Sequence, residues 1–163
     1  MSDDVPMVPV EVLGVRQQQR DQEIVALLLP AAASRAVPSG IGPREARASA
    51  WAQAGLPTPR PMTHDLLRDL LDAVGVRLER AEIVALDGGI FFAELVLSNG
   101  VRLDSRASDA IAVAVRTGSP VLCSAEVVAT AGVEVVDVAQ QEEVEKFRDF
   151  LDHVQPEDFS VDE

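Results

Sequence analysis

The chain has one cysteine, one tryptophan, no tyrosine and two histidines among 163 residues, and each scarcity removes a class of explanation. With Cys123 alone, neither an internal disulfide nor a paired-thiolate zinc site can form. Cys123 sits in the apolar run Pro120-Val121-Leu122 and reads as a small buried residue, with a nucleophilic role as the rarer alternative. No apolar run reaches the ~18 residues that suggest a membrane span. The start, Met1-Ser2-Asp3-Asp4, lacks the basic-then-apolar order of a signal peptide, so a cytoplasmic location with no membrane contact is expected. P-loop, His-Glu-x-x-His and Gly-x-Ser-x-Gly motifs are also missing.

What is present suits one globular domain: 47% of residues are hydrophobic and 25% charged. The net charge of -13 is uneven, because residues 134–163 hold 11 acidic and 2 basic side chains, a net of -9 that leaves -4 for the rest. Such a run is most often a solvated helix face and tail, and it opposes binding to a polyanion. Lysine is nearly absent too. The 14 basic residues are Lys146 and 13 arginines, whose planar guanidinium groups suit a few localised phosphate contacts.

Two stretches rich in Val, Ile and Leu, residues 8–16 and 23–29, flank the polar residues 17–22 and predict two strands and their loop. After Pro38-Ser39-Gly40-Ile41-Gly42, Pro43 can occupy the first turn of a helix that ends at Gly55. Residues 56–62 contain Pro57, Pro59 and Pro61 and predict an extended tie within a single domain spanning 1–156. Thr63 to Gly75, Ser108 to Gly118 and Ser124 to Gly132 each open on a hydroxyl and close on glycine, so three capped helices are expected. Between the first two, Asp87-Gly88-Gly89 and Asn99-Gly100 divide residues 76–106 into a three-stranded antiparallel meander. A last helix, about 140–154, carries Val144, Phe147, Leu151 and Val154 on one stripe, and residues 157–163 form an acidic flexible tail. The expected fold class is α+β, an antiparallel or mixed sheet with this meander packed against several helices in one compact domain.

The most informative segment is the strand-to-helix junction Asp104-Ser105-Arg106-Ala107-Ser108-Asp109. Strand period puts Arg102, Asp104 and Arg106 on one face. A two-residue turn at Asn99-Gly100 would set Arg102 across from Leu97 and Asp104 across from Leu95. Ser108 then caps a helix whose residues 110–115 are apolar all round, and Asp109 falls in its first turn, where the helix dipole favours a carboxylate. Asp104 and Asp109 could hold a divalent cation while Arg102, Arg106 and Ser108 meet a phosphate. Alternatively Asp104 pairs with a neighbouring arginine and Asp109 supports the cap. Thr63-His64-Asp65 poses the same choice: His64 near Asp65 could serve as a general base, or the three residues could be a plain capped first turn. Gly40-Ile41-Gly42-Pro43 is a turn with a weaker anion-binding alternative, His153 reads as surface, and Trp51 as a core anchor.

Taken with Pro59-Arg60-Pro61-Met62-Thr63-His64-Asp65-Leu66, with Asp104-x-Arg106-x-Ser108-Asp109-Ala110-Ile111-Ala112, and with residues 143–151 followed by Pro156-Glu157-Asp158-Phe159, the chain resembles the bifunctional nuclease domain family. The resemblance spans most of the sequence. It implies a compact α+β protein and, by analogy with plant members, hydrolysis of RNA and DNA. It carries no catalytic assignment, so His64, Asp65, Asp104 and Asp109 as catalytic groups, with Asp104 and Asp109 holding Mg2+ or Mn2+, are expectations from motif position; no organic cofactor is expected. In two places the chain departs from the family pattern: Ser39-Gly40 replaces a bulkier stretch, and Ala107 stands where proline is usual. The competing expectation is a non-catalytic binding or regulatory module that meets a protein partner through residues 140–163, with self-association left open. A weaker third is a metal-independent enzyme acting on a small phosphorylated metabolite.

Overall fold

The fold is given by a computed structural model that describes residues 5–17, 23–31 and 34–134. The expected helix at 140–154, the tail at 157–163 and the loop at 18–22 lie outside the described residues.

The two N-terminal apolar runs form β1 (Met7–Gln17) and β2 (Ile24–Pro30), antiparallel partners. Their register shifts between Val12 and Gly14, a bulge at which Gly14 takes φ 113°, a conformation open to glycine at little cost. A strand follows that the sequence did not predict: β3 (Arg35–Gly40) contains Pro38. The Ile41 amide donates to the Ile24 carbonyl at 2.9 Å, which makes 24–41 a hydrogen-bonded pair and Leu27–Pro38 a non-bonded one. The N–H that Pro38 lacks would therefore have pointed away from β2, and the proline costs the ladder nothing on that side.

Pro43 opens α1 (Pro43–Gln53), and the proline-containing tie connects it to α2 (Thr63–Ala73). Thr63 is not the cap that its hydroxyl suggests. Met62 holds that position, because the Asp65 carboxylate reaches back to accept its amide at 2.9 Å. The meander is β4 (Leu78–Asp87), β5 (Ile90–Leu97) and β6 (Arg102–Arg106), and β6 runs straight into α3 (Ala107–Thr117). Arg106, extended at φ -66° and ψ 143°, is the cap of α3, so Ser108 is the second residue of the helix, within its first turn, and not its cap. β7 (Val121–Ser124), α4 (Ala125–Ala131) and a short β8 (Val133–Glu134) complete the described chain, with Gly132 closing α4 as expected.

The strands form one mixed sheet in the order β6-β5-β4-β7-β1-β2-β3-β8, in which only β4 and β7 run parallel. α3 is the central helix: residues 110–114 are at most 1% exposed, and Ile111 and Val113 pack with Ile83, Ala93, Leu95 and Cys123 of the sheet. The expected α+β domain with a three-stranded meander is present. Its second turn differs from the expectation. Ser98-Asn99-Gly100 is a three-residue loop, in which the Gly100 amide donates to the Leu97 carbonyl, the Leu97 amide donates to the Val101 carbonyl, and Gly100 takes φ 83°. The register slips by one as a result: Val96 faces Arg102, Glu94 faces Asp104 and Phe92 faces Arg106.

Candidate functional site

Three separate segments meet where the N-terminal ends of α2 and α3 converge. Asp65, by capping Met62, fixes the first turn of α2 and places His64 toward α3. Its Nε2 lies 2.9 Å from Oδ1 of Asp109, the third residue of α3. Arg106 grips the same carboxylate in a fork: Nε donates to Oδ2 at 2.6 Å and Nη2 to Oδ1 at 3.0 Å. Glu45 of α1 approaches the outer edge of Arg106 at 3.9 Å. These groups, with Arg44 and Thr63, line a cavity of about 310 Å³.

Exposure is graded across the cluster, with side-chain values of 12% for His64, 31% for Asp109 and 68% for Arg106. The Arg106 guanidinium holds the Asp109 carboxyl below the usual carboxylate range; burial opposes that shift, and the His64 hydrogen bond adds to it. An ionised Asp109 accepts from Nε2–H of His64, which assigns that tautomer and leaves the Nδ1 lone pair as the basic nitrogen. Among the described residues, Nδ1 has no hydrogen-bond partner. A base oriented by a carboxylate, next to guanidinium donors, is suited to deprotonating a nucleophile while anionic oxygens are held nearby.

The other residues singled out from the sequence go elsewhere. Asp65 receives the Met62 amide and, at 2.7 Å, Nε of Arg116, a side chain only 3% exposed. Burial alone would raise its pKa; the Met62 amide and Arg116 outweigh it and lower the value. Arg102 bonds Glu94 at 2.6 Å and also contacts Glu82, so it is drawn to the β4–β5 side of the sheet. Asp104 is exposed opposite Glu94 and makes no side-chain hydrogen bond or ion pair among the described residues. Ser108 lines a neighbouring cavity with Arg106 rather than the His64 cavity.

For a divalent cation the fit is poor. Both oxygens of Asp109 are engaged by Arg106 and His64, and no group of three or more His, Cys, Asp or Glu among the described residues could hold a metal. Cys123 is fully buried, and burial pushes its thiol up to about 11, which fits the inert reading. Trp51 departs from the expectation of a core anchor: it is 36% exposed, with the Arg47 guanidinium 5.0 Å from its ring centroid.

Sequence reasoning missed Arg44 and Glu45. The only signal was Gly42-Pro43 opening a helix, which marks a helix start but not what that start faces. No periodicity within one segment could show that the first turns of three helices share a cavity.

The family model for the bifunctional nuclease domain matches residues 26–136. Two relatives, uncharacterized protein MT1877 of Mycobacterium tuberculosis strain CDC 1551 / Oshkosh and uncharacterized protein Rv1829 of strain ATCC 25618 / H37Rv, are each 41% identical over 163 residues. Each alignment covers 95% of this chain and 99% of the relative.

Proposed function

The chain belongs to the bifunctional nuclease domain family, and from that membership together with the site geometry we propose that it hydrolyses phosphodiester bonds of RNA and DNA at the cavity between α1, α2 and α3. The observation that carries this reading is the 2.9 Å contact between His64 and Asp109, with Arg106 in a fork on the same carboxylate. Asp109 orients His64, and the Nδ1 lone pair takes the proton of the attacking water or hydroxyl. Arg106 and Arg44 face the cavity and hold the phosphate oxygens, where guanidinium charge stabilises the negative charge that builds in the transition state. No step is routed through a metal ion.

Purified wild type, His64→Ala, Arg106→Ala and Asp104→Ala would be compared on RNA and single-stranded DNA, each with and without Mg2+ or Mn2+. His64→Ala should lose about 10²–10⁴-fold in rate, the usual worth of a positioned acid–base group, and Arg106→Ala about 10²–10³-fold, the worth of a donor to transition-state charge. Equal activity in wild type and His64→Ala would indicate a contaminating nuclease and remove the site. Metal-dependent loss in Asp104→Ala would instead restore the expected Asp104 and Asp109 cation site. If no preparation cleaves, the non-catalytic binding module and the enzyme of a small phosphorylated metabolite are the readings left standing.

A further inference from the structure

We propose that Trp51 and the arginines around it form a subsite for single-stranded nucleic acid, where one base stacks on the indole while a nearby phosphate lies at His64. The subsite rests on the nuclease reading for its direction, because it continues the His64 cavity. A second cavity, of about 270 Å³, shares Ala48 and Met62 with the first and is walled by Trp51, Arg60 and the prolines of the tie.

Three observations carry the assignment. Trp51 is the one tryptophan of the chain, yet it is 36% exposed at a cavity instead of buried in the core, and Arg47 braces its ring. Second, arginines are not spent equally. Arg68, Arg80, Arg102, Arg106 and Arg116 all pair with carboxylates, whereas six exposed arginines, Arg16, Arg35, Arg44, Arg47, Arg60 and Arg77, form no ion pair among the described residues. Arg44, Arg47 and Arg60, half of these six, lie along this pair of cavities or on the ring that walls it. In a chain of net charge -13, such a local concentration gives a polyanion a positive approach beside the cluster. Third, the cavity is also lined by Pro57, Pro59 and Pro61, whose fixed φ limits the freedom lost when a ligand enters. An indole flanked by guanidinium groups binds a base by its π-face and its phosphates by charge. That requires an unstacked base, and therefore a single strand and not a duplex.

Because the chain contains one tryptophan and no tyrosine, its intrinsic fluorescence reports Trp51 alone. The full chain carrying His64→Ala, to block turnover, would be titrated with a short deoxythymidine oligomer, the same oligomer lacking bases, a matching duplex and a polyglutamate peptide. Quenching by the base-bearing single strand, with little from the other three, is expected. Trp51→Ala should weaken binding of a labelled oligomer about 5- to 100-fold, while Trp51→Phe should retain most of it. Arg60→Ala should weaken it and make the salt dependence shallower by about 0.7, the slope of one phosphate contact on a single strand. Equal quenching by polyglutamate, or unchanged affinity in a folded Trp51→Ala protein, would overturn the subsite. The two readings fail separately: cleavage by wild type without Trp51 quenching removes only the subsite, and quenching without cleavage removes only the nuclease.

Discussion

Arg116 stands on the last turn of α3, yet each of its nitrogens serves a different helix. Nε donates to Asp65 of α2 at 2.7 Å, Nη2 to the Ala48 carbonyl of α1 at 3.1 Å, and Nη1 to the Ala112 carbonyl of α3 at 2.9 Å. This one side chain therefore sets the distances that put His64 against Asp109. With Arg116 3% and Asp65 18% exposed, Arg116→Ala strands a carboxylate and should cost about 3–5 kcal/mol in urea unfolding, whereas a surface pair contributes under about 1 kcal/mol. The pH dependence follows from the direction of the shifts. Asp65 and Asp109 both have folded pKa values below 3.8, so the unfolded chain binds protons first on acidification. Their contribution is fully present above that unfolded value and is lost as pH falls through the folded values. Thermal melts followed into acid should show wild type losing stability below about pH 3.8, and Asp65→Asn should flatten that part of the curve.

At the level of elements, the β6–α3 junction is built without a connecting loop. Ala107 is the first residue of α3, where an N–H has no intrahelical acceptor, and Arg106 before it is already extended. Proline fits both conditions, because it fixes φ near the helical value and pushes its predecessor to extended backbone. Ala107→Pro should therefore raise stability by about 0.4–1 kcal/mol in chemical denaturation, and a loss would show that the ring clashes in a site only 4% exposed. The same junction shows what the sequence makes legible. Elements were readable where a pattern is local: the all-apolar α3, the glycine stops at Gly75 and Gly118, and the Asp87-Gly88-Gly89 turn all stand where composition puts them. Register was not, because a two-residue and a three-residue loop around Asn99-Gly100 read alike, and one residue of slip exchanges Leu95 for Glu94 as the neighbour of Asp104. β3 was hidden by Pro38, whose cost depends on which edge its missing N–H faces. Half of the site was visible as His64, Arg106 and Asp109 on their own helix starts. Their meeting, and the diversion of Asp65 to Arg116, depends on packing between helices that no single segment encodes.

For the whole molecule, the candidate site and the overall charge pull in opposite directions. The net charge is -13, and residues 134–163 contribute -9 of it, while Arg44, Arg47 and Arg60 present unpaired cations at the cavities. A nucleic acid approaching from bulk solution meets the sum of charges first, and meets the arginines only within a few ångströms. Low salt lets the repulsion reach far, since the Debye length is about 30 Å at 0.01 M. Near 0.15 M it contracts to about 8 Å, and the arginines act alone. The association rate with a labelled single-stranded oligomer should therefore rise as salt is added over that range, the reverse of a basic nucleic-acid binder, while the dissociation rate also rises as phosphate contacts weaken. Replacing Glu157, Asp158, Asp162 and Glu163 by their amides in the full chain removes four negative charges and changes none of the residues that line the cavities. Stopped-flow anisotropy should then show faster association at low salt and wild-type association near 1 M, where the Debye length is about 3 Å. An association rate that falls steadily with salt in wild type would mean that the arginines already dominate the far field, and that the acidity of the chain has no part in how substrate arrives.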